Sequence, residues 1–131
     1  QAFFLDILKS LYDETSKSNR KGSSHFQEIE QRLLASYRDP SCCVQSLADE
    51  LKFSVNYLRQ IYKDFSGQSL SDEINRLRVE EAARLLLESD NPVKEIYARA
   101  GFSNYNSFFT SFKKMKGHTP ALFRRNHEKS E

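Results

Sequence analysis

One internal repeat constrains the fold of this chain more than any other feature. Val44, Leu47, Leu51, Phe53 and Ser54 recur 49 residues later as Val93, Ile96, Ala100, Phe102 and Ser103. After one extra residue in the turn, Leu58, Tyr62, Lys63, Gly67 and Ser69 recur at an offset of 50 as Phe108, Phe112, Lys113, Gly117 and Thr119. Most of these positions are apolar residues at helical spacing or turn residues, so the repeated object is a supersecondary unit. Each copy reads as a short helix, a tight turn and a longer helix with one apolar and one polar face. In the first copy Leu58, Ile61, Tyr62 and Phe65 form the apolar stripe, and Asn56, Arg59, Gln60 and Lys63 lie opposite.

Around the two copies the chain also reads as helix. Composition agrees: 38% of the 131 residues are hydrophobic and 29% charged, with only four Gly and three Pro to supply turns. Residues 3–14, "FFLDILKSLYDE", place Phe4, Ile7, Leu8 and Leu11 on one face of an N-terminal helix, and "TSKSNRKGSS" (15–24) reads as a linker. A helix over roughly 25–37 is expected to bury Phe26, Ile29, Leu33 and Leu34. Residues 71–88, "SDEINRLRVEEAARLLLE", form the longest helical pattern, with acidic residues in the first turn where they favour the helix dipole. This helix, burying Ile74, Leu77, Ala82, Leu85 and Leu86, lies between the copies. Ser103 or Asn104 caps the helix that ends at Gly117, and Pro120 opens a last short helix through about Asn126.

The expected architecture is therefore all-α. It has an N-terminal helix and linker (1–24), a first helix-turn-helix subdomain (25–70), a linking helix (71–90), a second helix-turn-helix subdomain (91–127) and a short tail (128–131). A helix-turn-helix can place its second helix in a DNA major groove. A helical-repeat scaffold for proteins shares the helix pairs, but two units are too few to stack into a continuous core and the long helix separates them. The charge distribution, net −2 over residues 1–51 and net +5 over residues 52–127, suits a C-terminal region that meets an anionic partner and equally a solvated helical surface. A helical protein-interaction module without specific DNA binding is the alternative.

Three segments then carry a resemblance. "SLADELKFSVNYLRQIYKDFSGQS", "INRLRVEEAARLLLES" and "GFSNYNSFFTSFKKMKGHTPALFRR" resemble the first helix-turn-helix, the linking helix with its Arg-x-x-x-Ala-x-x-Leu-Leu pattern, and the second unit of the DNA-binding domain of AraC/XylS-family bacterial transcriptional regulators. The similarity covers about residues 43–125. It implies sequence-specific binding of double-stranded DNA, with two recognition helices in successive major-groove segments ~34 Å apart. Carried over by position, Val55, Asn56, Arg59 and Gln60 face bases from the first unit and Tyr105, Asn106, Phe109 and Thr110 from the second. Ser54, Lys63, Lys113 and Thr119 touch phosphate. Arg59 suits guanine O6 and N7, and Asn56 and Gln60 suit adenine. The resemblance also implies RNA polymerase as a partner and a bacterial cytoplasmic location.

Several departures from the usual pattern stand out. Thr110 and Phe109 replace an Arg and a small polar residue, so the second unit is expected to read less by hydrogen bonds. Lys52 stands where the first turn usually has Gly, where a left-handed backbone would strain it. Tyr97 and Ala100 exchange large and small positions one turn apart. The N-terminal helix either ends a preceding sensing or dimerising domain, allowing a homodimer, or covers the core of this chain.

Little else in the sequence suggests chemistry. His25, His118 and His127 lack partners at metal-ligand spacing, and no catalytic set or phosphate loop converges, so no metal, cofactor or enzymatic activity is expected. Cys42 and Cys43 are adjacent and alone, which fits two reduced thiols in a cytosolic chain. No apolar run approaches a membrane span, and a first residue of Gln rather than Met fits a fragment or processed chain.

Overall fold

The computed structural model describes residues 20–129, and the face expected from Phe4, Ile7, Leu8 and Leu11 lies outside them. The described residues are helical throughout, with short connections and no strand. Helix α1 covers 20–36, followed by α2 (Val44–Leu51), α3 (Val55–Ser66), α4 (Leu70–Glu88), α5 (Val93–Ala100), α6 (Tyr105–Lys116) and α7 (Pro120–Lys129).

The repeat is realised as equal lengths: α2 and α5 have 8 residues each, and α3 and α6 have 12 each. Ser54 caps α3 and Asn104 caps α6, each accepting a hydrogen bond from the backbone N–H three residues on. The extra residue of the second copy is therefore Ser103, ahead of the cap. Gly67 and Gly117 end the two longer helices with φ of 78°. Both turns after the short helices are left-handed, at Lys52 (φ 62°) and Gly101 (φ 108°). Lys52 thus takes the strained conformation the sequence foreshadowed, at a cost of roughly 1 kcal/mol.

Two apolar clusters hold the units. The first joins Ile29 and Leu33 of α1 to Leu47, Ala48, Leu58, Tyr62, Leu70 and Ile74. The second joins Val79, Ala82, Ala83 and Leu86 of α4 to Ile96, Ala100, Phe102, Phe108 and Phe112. Helix α4 thus serves the first cluster with its N-terminal half and the second with its C-terminal half, packing on α3, α5, α6 and α7. Ala100 is fully buried, while Tyr97 is half-buried with its ring 6.3 Å from that of Phe108.

Three expectations require correction. The stretch 15–24 is not a linker throughout, because residues 20–24 belong to α1. Gly22 explains the gain: a Cβ there would lie 3.1 Å from the Phe65 ring, so the glycine lets α1 approach α3 closely. Leu34 is 57% exposed, because Ile29 and Leu33 set the inward face and Leu34 falls beside it. Phe65 is 42% exposed, although its ring stacks on Phe26 at 5.6 Å.

The units meet at a polar joint. Arg78 of α4, 9% exposed, donates from Nε to Tyr37 O (2.8 Å) and from Nη2 to Asp39 O (3.1 Å) and Cys42 O (2.8 Å). Three carbonyls of the α1–α2 loop thereby replace the water that the guanidinium loses on burial. Burial pulls the guanidinium below its usual pKa. Gly101 of the second unit packs on the same spot, where a Cβ would overlap Tyr37 O and lie 2.8 Å from Arg78 Nε. Beside it, Glu81 receives Arg38 and Arg84, each at 2.6 Å, and the bond from Arg84 chiefly holds its carboxyl below the usual range. At the far end of α4, Arg124 of α7 donates to Leu86 O (2.9 Å) and Ser89 O (3.1 Å), satisfying carbonyls that a helix terminus leaves open.

Candidate nucleic-acid interface

The polar face of α3 follows from its composition. Once Leu58 and Tyr62 are buried, the helical period turns Asn56, Arg59, Gln60 and Lys63 to solvent, where all four are exposed. Val55, at the first position, is half-buried against the first core. Asn56, Arg59, Gln60 and Lys63 line an open groove of about 440 Å³ with Ser69, Leu70 and Ser71 from the start of α4. The sequence reading missed Ser71, which signals itself only by following the Ser69 cap. Gln60 Nε2 donates to Asp64 Oδ1 at 2.9 Å, one turn along the same helix.

Ser54 is exposed, and its Oγ accepts from Tyr57 N at 3.1 Å, which leaves the hydroxyl proton available to a further acceptor. Thr119 uses its hydroxyl likewise, accepting from Leu122 N at 3.2 Å ahead of α7.

On α6 the same period buries Phe108 and Phe112 and exposes Asn106, Thr110 and Lys113. The border differs from that of α3. Tyr105, 39% exposed, meets Tyr97 edge-on at 5.9 Å and lies 6.1 Å from the half-buried Phe109 ring. Both rings are thus packed and partly open, forming an apolar shoulder on the outer face of α6.

Some cations are ion-paired and others are not. Arg32, Arg38, Arg76, Arg84 and Lys116 each pair with a carboxylate, at 2.5–3.3 Å. Among the described residues, Arg59, Lys63 and Lys113 have no such partner. Three cations without an ion-pair partner among the described residues thus stand on the outward faces of α3 and α6.

Among the described residues, no group of three His, Cys, Asp or Glu is placed to hold a metal, and no helix is long and apolar enough to cross a membrane. Both cysteines are free thiols. Cys43 caps α2, where the Ser46 N–H chiefly draws its pKa down, whereas burial pushes Cys42 up.

Residues 47–126 match the helix-turn-helix domain family. The chain is 35% identical over 89 residues to the probable transcription factor PqrA of Proteus vulgaris, covering 68% of this chain and 73% of that protein. Other curated relatives are longer, and the chain spans 15% of a Bacillus subtilis regulator, YtdP, and 45% of the activator RhaS of Pectobacterium carotovorum. Among solved structures, the C-terminal domain of the response regulator yesN from Fusobacterium nucleatum superposes with a TM-score of 0.71 at 32% identity, covering 75% of this chain and 95% of that one. The DNA-binding domain of the transcriptional factor AdpA, solved with a target DNA, shares the fold with a TM-score of 0.75 at 24% identity, over 81% of this chain and 95% of that one. The repeated helix-turn-helix pair, its linking helix and these relatives agree that the chain belongs to the AraC/XylS family of transcriptional regulators and carries the family's DNA-binding domain.

Proposed function

We propose that this chain regulates transcription by reading two successive major-groove segments with α3 and α6, and that it is a binding module rather than a catalyst. The observation that carries this reading is that Arg59, Lys63 and Lys113, none of them ion-paired among the described residues, stand on the outward faces of the two repeated helices. Arg59 offers a fork for guanine, Asn56 and Gln60 offer amides for adenine, and Val55 reaches thymine methyls. Tyr105 and Phe109 supply apolar contact from the second unit, with Asn106 and Thr110 beside them. Ser54, Lys63, Lys113 and Thr119 hold phosphates and set register without choosing sequence. Contact with RNA polymerase, a bacterial cytoplasmic setting and dimerisation through residues ahead of α1 belong to the same reading.

Unbiased selection from a random duplex library tests it. The expected result is one enriched site with two half-sites about one helical turn apart, and binding that weakens steeply with salt. Lys63→Ala and Lys113→Ala should each weaken every sequence alike and lower the slope of log K against log salt by ~0.9. A salt slope without enrichment would leave a charged surface only, and absence of both would favour a protein-interaction module.

A further inference from the structure

A second groove opens beside the first unit, on the side of α1, and of its lining only Ser54 has a role above. It holds about 590 Å³ and is lined by Lys21 and His25 of α1, Lys52 and Phe53 of the turn, and Ser54, Tyr57 and Ile61 of α3. No carboxylate lines it. Lys21 and His25 stand one turn apart on one face of α1, and Gly22 lets that helix approach α3 closely enough to share the groove. Neither Lys21 nor Lys52 has an ion-pair partner among the described residues, unlike the paired cations of α4. His25 Nδ1 lies 2.6 Å from the Tyr57 hydroxyl and its ring 4.6 Å from that of Phe53, so the imidazole is held in place. With Tyr57 donating to Nδ1, the neutral ring carries its proton on Nε2, a free donor. Lys52 occupies a left-handed conformation that side chains rarely adopt, although glycine at this turn would avoid the strain.

We propose that Lys21, His25 and Lys52 form a phosphate clamp that takes a backbone phosphate of the DNA beside the first recognition helix, making α1 part of the binding surface. This rests on the DNA-reading function proposed above. The ligand is a phosphodiester oxygen, for which two ammonium groups and an N–H donor around an apolar floor are suited. The clamp confers affinity and orientation without sequence preference. It also gives the strained lysine a use, since glycine in its place would keep the turn and lose the charge.

The test uses the purified chain, its selected duplex and a random duplex, with affinity measured by fluorescence anisotropy at several salt concentrations. Lys52→Gly should raise or preserve the thermal midpoint while weakening both duplexes by roughly three- to tenfold and lowering the salt slope by ~0.9. Lys21→Gln should reproduce the loss without touching the turn, and the double substitution should lower the slope by nearly twice as much. His25→Ala should weaken both duplexes equally. Wild-type binding with normal salt dependence that neither lysine substitution changes would overturn the clamp alone. A wild-type chain without salt-dependent duplex binding would overturn both the clamp and the function on which it rests.

Discussion

The two helix-turn-helix units share helix lengths, caps and left-handed turns, yet they differ where a ligand would meet them. The first presents Asn56, Arg59, Gln60 and Lys63 around a groove shared with the start of α4. The second presents an apolar shoulder of Tyr105 and Phe109, with Asn106 and Thr110 alongside. Core positions favour exchanges of similar size, such as Tyr62 for Phe112, whereas outward positions are free to change chemistry. On the function proposed above, one scaffold would carry two kinds of reader: hydrogen-bond forks in one unit, and shape and methyl contact in the other.

The turns teach a second difference. Lys52 and Gly101 are equivalent by repeat and both left-handed, but Lys52 is exposed, whereas Gly101 is pressed onto Tyr37 O and Arg78. The largest expected effect follows from that. Gly101→Ala should cost more than ~3 kcal/mol or prevent folding, since it adds overlap with backbone to left-handed strain. Gly67→Ala and Gly117→Ala, with open space around them, should each cost only ~1 kcal/mol. Denaturant midpoints for the three variants check this, and equal losses would mean that the joint is not tightly packed.

The next effect concerns reading. Arg59→Ala should relax preference at one base pair by ~1–3 kcal/mol. Phe109→Ala should weaken preference for thymine in the other half-site by less, because a methyl contact discriminates less than a bidentate fork. Binding to libraries with each half-site randomised in turn separates the two, and a larger loss at Phe109 would reverse the ranking of the units.

The smallest effect is pH-dependent. The folded pKa of Glu81 lies below its ordinary value near 4.5, chiefly through the Arg84 hydrogen bond. Its contribution to stability is therefore full above that value and is lost as pH falls through the depressed folded pKa. Glu81→Gln should be less stable than wild type at neutral pH, with the difference shrinking under acid. Thermal midpoints from pH 7 to pH 3 (roughly the window in which carboxylates titrate) would show it, and a pH-independent gap would remove the carboxylate from the account.

The repeat made α2 to α7 legible to within a few residues, because all but α2 end at a glycine or begin at a hydroxyl or amide cap, and α2 is fixed by its equivalence to α5. What it could not reveal depends on contacts across long separations. The entry of residues 20–24 into α1 rests on Gly22 meeting Phe65, more than forty positions away, while the local polarity of the stretch points to a linker. Leu34 reads as core because it adjoins Leu33, and only the observed rotation of α1 turns it outward. Arg78 looks like one more cation on a charged helix. Its three acceptors are main-chain carbonyls, which carry no signature in a sequence. For the candidate site, helical period turns Asn56, Arg59, Gln60, Lys63, Asn106, Thr110 and Lys113 outward, whereas Val55 and Phe109 are half-buried, and the groove joining α3 to Ser71 and the basic groove on α1 both need tertiary placement.

The joint at Arg78 has a thermodynamic consequence for a protein that engages DNA with both units. A guanidinium shared among three carbonyls, with Gly101 against the same backbone, leaves little room for the second unit to swivel about the first. Once one unit is seated, the other is held at a high effective concentration over the neighbouring groove, with little orientational freedom left to lose. The same stiffness penalises any duplex whose half-sites are out of phase, because the protein cannot bend to meet them and the DNA must deform instead. Spacing between half-sites would then be discriminated by a buried arginine and a glycine that never touch a base.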